Sequence, residues 1–234
     1  MMKPVDHFIQ VHDLVKTYAD GGRSVNAIDQ VSLSIDDGEF VTLMGRSGSG
    51  KSTLLSILGA LLRPTSGKVV VDSMDLYSLG SEQRADFRSE YVGFIFQSFQ
   101  LIPYLTVLEN VSLPMAVTGL KKNKKRAMAM AVIDRVGLAD KQDRLPDRLS
   151  GGEQERVAIA RAIVNQPPLI LADEPTGNLD TDTAGRIMEL LASLNREGHT
   201  IVVVTHNPET EAYASRNIRV QDGRLDSTPT IVPA

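Results

Sequence analysis

The sequence predicts an α/β fold with a helical lobe inserted into it. Strand and helix signals alternate over residues 7–96, helix signals dominate from Leu105 to Gln166, and the alternation resumes at Leu169. Such alternation builds a sheet covered by helices, whereas a block without strands packs as a helical unit of its own. A chain of 234 residues can bury one large core, or one core with an attached lobe.

Each element has a local reason. Residues 7–18 and 25–44 read as strands. Val31, Leu33 and Ile35 alternate with Ser32 and Ser34, the period of a half-buried strand. Asp36-Asp37-Gly38 signals a turn, and the apolar run FVTLM (40–44) suits a buried parallel strand. GRSGSGKST (45–53) follows, and LLSILGALL (54–62) reads as a helix ending near Arg63-Pro64. GKVVVDSMDL (67–76) reads as strand, 82–90 as helix and YVGFIF (91–96) as strand. In the middle block MAMAVIDRVGL (128–138) and ERVAIARAIVNQ (155–166) carry apolar residues at helical spacing. LILA (169–172) reads as a buried strand, and TAGRIMELLASLNREG (183–198) as a helix stopped at Gly198. TIVVVT (200–205) is a β-branched strand, and IRVQDGRL (218–225) turns at Asp222-Gly223 as a hairpin. The tail STPTIVPA (227–234) reads as a loose terminus, and no internal repeat is present.

Composition excludes several classes. Hydrophobic residues make up 42% and charged residues 23%, so disorder is not expected. Lys+Arg total 25 against 29 Asp+Glu, a net charge of −4, which disfavours nucleic-acid binding by bulk charge. The absence of cysteine excludes disulfides, thiolate zinc sites and cysteine nucleophiles. No apolar run approaches the roughly 18–20 residues that span a bilayer, and MMKPVDHFIQ has no apolar signal-peptide core. An intracellular chain without a membrane span of its own is the expectation.

Gly45, Arg46, Ser47, Gly48, Ser49, Gly50, Lys51 and Ser52 fit G-x-x-x-x-G-K-[ST], with Thr53 following, between a strand and a helix. Glycines let backbone N–H groups turn inward around phosphate oxygens, and the following helix aims its N-terminus at the same anion. Lys51 supplies a positive charge for the β- and γ-phosphates, and the Ser52 hydroxyl can ligate Mg2+. A Gly/Ser-rich linker would explain the composition but not the strand–helix setting. A dinucleotide fingerprint fails because Thr53 stands where a third glycine or alanine is expected.

Hydrolysis also needs a carboxylate at the end of a second buried strand. Asp173 and Glu174 follow LILA in that position. Asp173 suits a metal, and Glu174 suits a general base that polarises water. An acidic turn after a strand is the bland alternative. His206, after TIVVVT, could bond a γ-phosphate, or could be an ordinary surface histidine.

Leu149-Ser150-Gly151-Gly152-Glu153-Gln154 precedes the helix ERVAIARAI. It resembles the LSGGQ signature of ATP-binding-cassette (ABC) ATPases, and the resemblance covers nearly the whole chain. It implies a P-loop NTPase cassette with a RecA-like core, an N-terminal antiparallel β-subdomain and an inserted α-helical subdomain. Residues 1–97 and 165–234 would form the core with its β-subdomain, and 98–164 the helical subdomain. Tyr18 would stack on adenine, and residues 45–53 would bind the phosphates. Gln97, at the Q-loop position, would sense the γ-phosphate and join Ser52 and Asp173 at Mg2+. Glu174 would be the catalytic base and His206 the switch histidine, with Lys51 completing the catalytic set. Ser150, Gly151, Gly152 and Glu153, with Asp180 of the D-loop, would contact ATP bound to a second copy in a head-to-tail homodimer. Ser150 followed by Glu153 is also a capping box, and both roles are compatible.

FIFQSFQLIPYLTVLENVSLPM (94–115) and DEPTGNLD (173–180) resemble the subgroup serving macrolide export, lipoprotein release and cell division. That resemblance implies a permease partner, in several members with a periplasmic part, and a place at the cytoplasmic face of the inner membrane. A soluble ABC-type ATPase acting on nucleic acid or ribosomes is the alternative, but its coiled-coil or tandem additions do not fit in 234 residues. A small-molecule kinase would not need LSGGE.

Two stretches stand apart. KKNKKR (121–126) is a basic run in an acidic chain, readable as a solvated helix start or as a contact with anionic lipid or a permease loop. Residues 98–110 are more apolar than a surface loop requires, and the resemblance places them near a groove for the permease.

Overall fold

The computed structural model describes residues 7–20, 23–226 and 230–231. In chain order the elements are β1 (Ile9–Asp20), β2 (Arg23–Ile35), β3 (Phe40–Met44), α1 (Lys51–Leu58), β4 (Ser66–Val71), β5 (Met74–Asp75), α2 (Ser81–Tyr91), β6 (Val92–Ile95), α3 (Val107–Ser112), α4 (Lys122–Arg135), α5 (Gly151–Ile163), β7 (Leu169–Asp173), α6 (Thr181–Arg196), β8 (Thr200–Thr205), β9 (Arg216–Gln221), β10 (Arg224–Leu225) and β11 (Thr230–Ile231).

One antiparallel sheet has the order β2-β1-β4-β5, and its last turn holds Asp72 and Ser73 at φ 46° and 65°. Two successive left-handed residues match the strand twist of a tight hairpin. The larger sheet has the order β10-β9-β3-β8-β7-β6, and its path from β9 to β6 is parallel throughout. Its inner strands are buried on both faces, so their residues divide by alternation. Val41, Leu43, Leu171 and Val202 face α1 and the antiparallel sheet, while Ile170, Ala172, Ile201 and Val203 face α6 and α5.

The helical lobe has its own core, in which Val111 and Met115 meet Ala129, Ile133 and Val157. Met128 and Met130 pack partly buried against it, as core residues rather than an exposed groove. Asn110 is buried among these apolar groups and is fully engaged. Its side chain accepts from the Ile102 amide at 2.8 Å and donates to the carbonyls of Ile102, Leu105 and Thr106 at 2.9–3.1 Å. It thereby fastens the loop that precedes α3.

Two local expectations fail. The helix α1 stops at Leu58, not near Arg63. Tertiary groups take up carbonyls at its end and beyond: the Tyr77 hydroxyl lies 2.6 Å from Ile57 O and 2.7 Å from Leu62 O, and Arg88 donates to Ala60 O at 3.1 Å. Ala60 turns to φ 54°, which ends the helical path. The tail is not wholly loose, because Thr230 and Ile231 pair antiparallel with Asn217 and Arg216 of β9. The rest of the tail (227–229, 232–234) and residues 1–6, the first part of the MMKPVDHFIQ stretch, lie outside the described residues. Among the described residues no helix is long and apolar enough to cross a membrane.

Candidate active site

The loop between β3 and α1 leaves the carboxyl end of the central strand, where parallel sheets place ligands. Gly50 stands just before α1 at φ 102°, and a Cβ there would lie 2.2 Å from Ala27 O. Only glycine fits both the angle and the approach. No side chain caps α1, and no acid lies in its first turn, so its amides face the cleft unscreened. Lys51 is buried, and its ammonium donates to Gly45 O at 2.8 Å and Arg46 O at 2.9 Å. It closes the loop into a ring around a fixed positive charge.

A cleft of about 590 Å3 opens above this loop. Arg46, Ser47, Gly48 and Gly50 wall one side with Lys51, Ser52 and Thr53, and Gln97, Glu174 and His206 wall the other. Gly45 and Ser49 instead line a neighbouring hollow of about 710 Å3 that shares Arg46, Ser47, Gly48 and His206 with the cleft. Ser52 donates its hydroxyl hydrogen to Asp173 Oδ1 at 2.9 Å, bringing two oxygen ligands together at the end of β7. Burial raises the Asp173 pKa above the ordinary carboxylate value, and the Glu174 charge adds to this. The Ser52 hydrogen bond and the Lys51 charge oppose the rise.

Glu174 is turned out of β7 by a left-handed backbone, φ 50°. Its amide donates to Val204 O at 2.9 Å, and its carbonyl accepts from Gly177 at 3.0 Å, so both neighbours hold the strained geometry. The result aims a nearly buried carboxylate at the cleft. His206 Nδ1 lies 2.9 Å from both carboxylate oxygens of Glu174, with its own side chain two-thirds exposed at 66%. A carboxylate fixed by an imidazole, beside an amide-lined anion cradle and a lysine, can direct water at a phosphoryl group.

The remaining expected residues lie elsewhere. Tyr18 pairs with Val25 between β1 and β2, with Lys16 Nζ 5.1 Å from its ring centroid, and does not line the cleft. Ser150 caps α5: Glu153 donates its amide to Ser150 Oγ at 3.4 Å, and its carboxylate accepts from the Ser150 amide at 2.8 Å. The ion pair with Lys141 holds the Glu153 carboxyl below its ordinary value, helped by that amide. A Cβ on Gly152 would lie 2.4 Å from Thr183 Cγ2, so α5 begins tightly against α6. Asp180 caps α6, accepting from the Thr183 amide at 2.9 Å. None of residues 150–153, nor Asp180, lines the cleft of its own chain.

Three contributors lie outside the expected site residues. Ala27 of β2 walls the cleft from the other sheet. Asn178 donates to Gln97 O at 3.0 Å, linking the segment after β7 to that after β6. Arg161 of α5 donates to Phe99 O at 2.8 Å and Gln100 O at 2.5 Å, where φ is 58° and 52°. The turn after Gln97 is therefore pinned to the helix that begins at Ser150.

Sheet order, phosphate loop and strand-end carboxylates together define the class of P-loop nucleotide hydrolases. A family model described as ABC transporter matches residues 28–177, and the chain belongs to that family as an ATP-hydrolysing cassette. It is 45% identical over 218 residues to the lipoprotein-releasing system ATP-binding protein LolD of Geobacter metallireducens, covering 93% of this chain and 97% of that one. It is 42% identical over 231 residues to the macrolide export ATP-binding/permease protein MacB of Sodalis glossinidius, covering 96% of this chain and 35% of that protein. The dimeric post-hydrolysis structure of the cassette MJ0796 bound to ADP and Pi matches at TM-score 0.89 and 40% identity, covering 97% of this chain and 99% of that one. The expected cassette fold and the expected likeness to export and lipoprotein-release ATPases both hold.

Proposed function

We propose that two copies of this chain pair head to tail around two molecules of Mg-ATP, and that their hydrolysis cycle drives a membrane permease. The carrying observation is that the chain has two glycine-bearing helix starts that do not meet. The start of α1 opens into the cleft with Lys51, Glu174 and His206, while Ser150, Gly151 and Gly152 line no part of it. A second copy would bring its own Ser150–Gly152 and Asp180 to the open side of that cleft. The dimeric ADP- and Pi-bound MJ0796 relative supports the pairing.

Within each half-site the loop amides of residues 45–53 and Lys51 would cradle the phosphates, and Tyr18 would meet the adenine. Ser52 and Asp173 fit a small hard cation held mainly by phosphate and water: their two oxygens adjoin, and no denser acidic or histidine cluster competes among the described residues. With Gln97 they would hold Mg2+, which would neutralise charge on the β- and γ-phosphates. Glu174 accepts the proton of the attacking water, and His206 orients that carboxylate and bonds the γ-phosphate.

Residues 98–164 act as the lobe that carries the partner's contact, and the remainder as the catalytic core. A groove of about 500 Å3 between α2, β6 and the lobe, walled by Arg88, Phe94, Leu113 and Val117 among others, suits a permease segment. Of residues 98–110 only Gln100 lines it. The names of LolD and MacB support a role in lipoprotein release or export. Mechanotransmission is the third role within the same reading, which places the chain at the cytoplasmic face of the inner membrane. Glu174→Gln tests the reading: it should bind ATP, accumulate as a dimer by light scattering and release phosphate very slowly. Normal turnover in that variant would refute the assignment.

A further inference from the structure

The basic run at the start of α4 is the strongest feature that ATP chemistry does not use. Lys121, Lys122, Lys124, Lys125 and Arg126 crowd into six residues of a chain whose net charge is −4. None of the five forms an ion pair among the described residues. The first turn of α4 contains no acid, and its start has no side-chain cap. Cations at a helix N-terminus oppose the helix dipole, so helix formation does not explain the run.

Packing does not explain it either. Ala129 and Ile133, with Val136 just past the helix end, form the buried stripe of α4, and Lys122, Lys125 and Arg126 occupy the positions that would continue it. The stripe turns from apolar to basic where α4 passes the edge of the lobe, and none of residues 121–127 is buried. The run is also anchored. Lys125 donates to Ala116 O at 3.3 Å, beside Val117, which is 82% exposed. Leu113, Pro114 and Val117 wall the groove described above, so the groove and the run share an edge.

We propose that Lys121, Lys122, Lys124 and Arg126 form a binding surface for anionic lipid headgroups. It holds α4 and the rim of the groove against the bilayer beside the permease. The exposed Val117 next to a cluster of cations is the pairing of apolar contact and charge that binds proteins to a membrane surface. The orientation rests on the permease reading, whereas the lipid affinity does not.

The test is flotation of the full chain with vesicles of phosphatidylcholine alone or with about 30% phosphatidylglycerol, at low and high salt. The expected result is at least a tenfold preference for the anionic vesicles, lost at high salt. Changing Lys121, Lys122, Lys124 and Arg126 together to Gln should abolish the preference, and changing the three lysines to Arg should preserve it. Equal partition onto both vesicles, or an unchanged Gln variant, would overturn the proposal. So would binding to a poly-glutamate peptide without binding to anionic vesicles, which would point to a protein partner instead. Phosphate release is measured on the same samples: its absence in the unaltered chain refutes the ATPase reading, and normal release without vesicle preference refutes only the lipid surface.

Discussion

The starts of α1 and α5 are both glycine-bearing helix N-termini, and they are built in opposite ways. Before α1, Gly50 provides no cap, no acid follows in the first turn, and Lys51 adds a buried positive charge. At α5 a capping box closes the first turn, and Glu153 places a carboxylate there, held by Lys141. An uncapped start with a fixed cation favours a polyphosphate by itself. A capped start with an acid in its first turn is self-sufficient in folding and weak as an anion site. On the proposed head-to-tail pairing, the contrast makes the first a primary site and the second a complement to nucleotide that another copy has already bound.

The largest break in that comparison comes from removing the base. Glu174→Gln should slow phosphate release by about 10²-fold or more while nucleotide binding persists. Next, Lys51→Ala removes the cation that distinguishes α1, and calorimetry should show nucleotide affinity falling by roughly 10- to 100-fold. An unchanged affinity would reduce the two helix starts to equivalents.

The third prediction concerns the second turn of α5. Glu155 is fully buried, with no partner for either oxygen among the described residues, and burial pushes its pKa up to about 8, opposed by the charge of Arg161. The folded state therefore keeps a proton that the unfolded state releases above pH 4.5, and stability is lost as pH rises from there towards about 8. Glu155→Gln should remove that loss, giving a gain of about 3 kcal/mol near pH 7 and little difference at pH 4. Urea unfolding across that range checks it, and parallel pH profiles for both proteins would contradict it. The smallest effect belongs to the cap: Ser150→Ala should cost about 1 kcal/mol of stability, without changing nucleotide affinity of the isolated chain.

Contiguous chemistry was legible in the sequence. The phosphate loop, the Asp173-Glu174 pair and the Ser150–Glu153 box are each runs of neighbours whose roles follow from one turn of backbone. The Asp222-Gly223 hairpin was legible for the same reason, with φ 49° and 77° at its turn. What escaped depends on partners distant in the chain. The end of α1 is decided by Tyr77 and Arg88, not by local propensity. Ala27 reaches the cleft only because the antiparallel sheet lies against the loop. Arg161 pins Phe99 and Gln100 across a separation no local pattern records.

The central claim, that each nucleotide site is shared between two copies, is tested most directly by mixing two inactive variants. Lys51→Ala disables the cradle, and Ser150→Arg blocks the complementary helix start. Each alone should hydrolyse ATP very slowly. If the site is shared, a mixed dimer contains one site with both halves unaltered, and random exchange should restore phosphate release to about a quarter of the unaltered rate. Hydrolysis in the mixture no faster than in either variant alone would contradict the account.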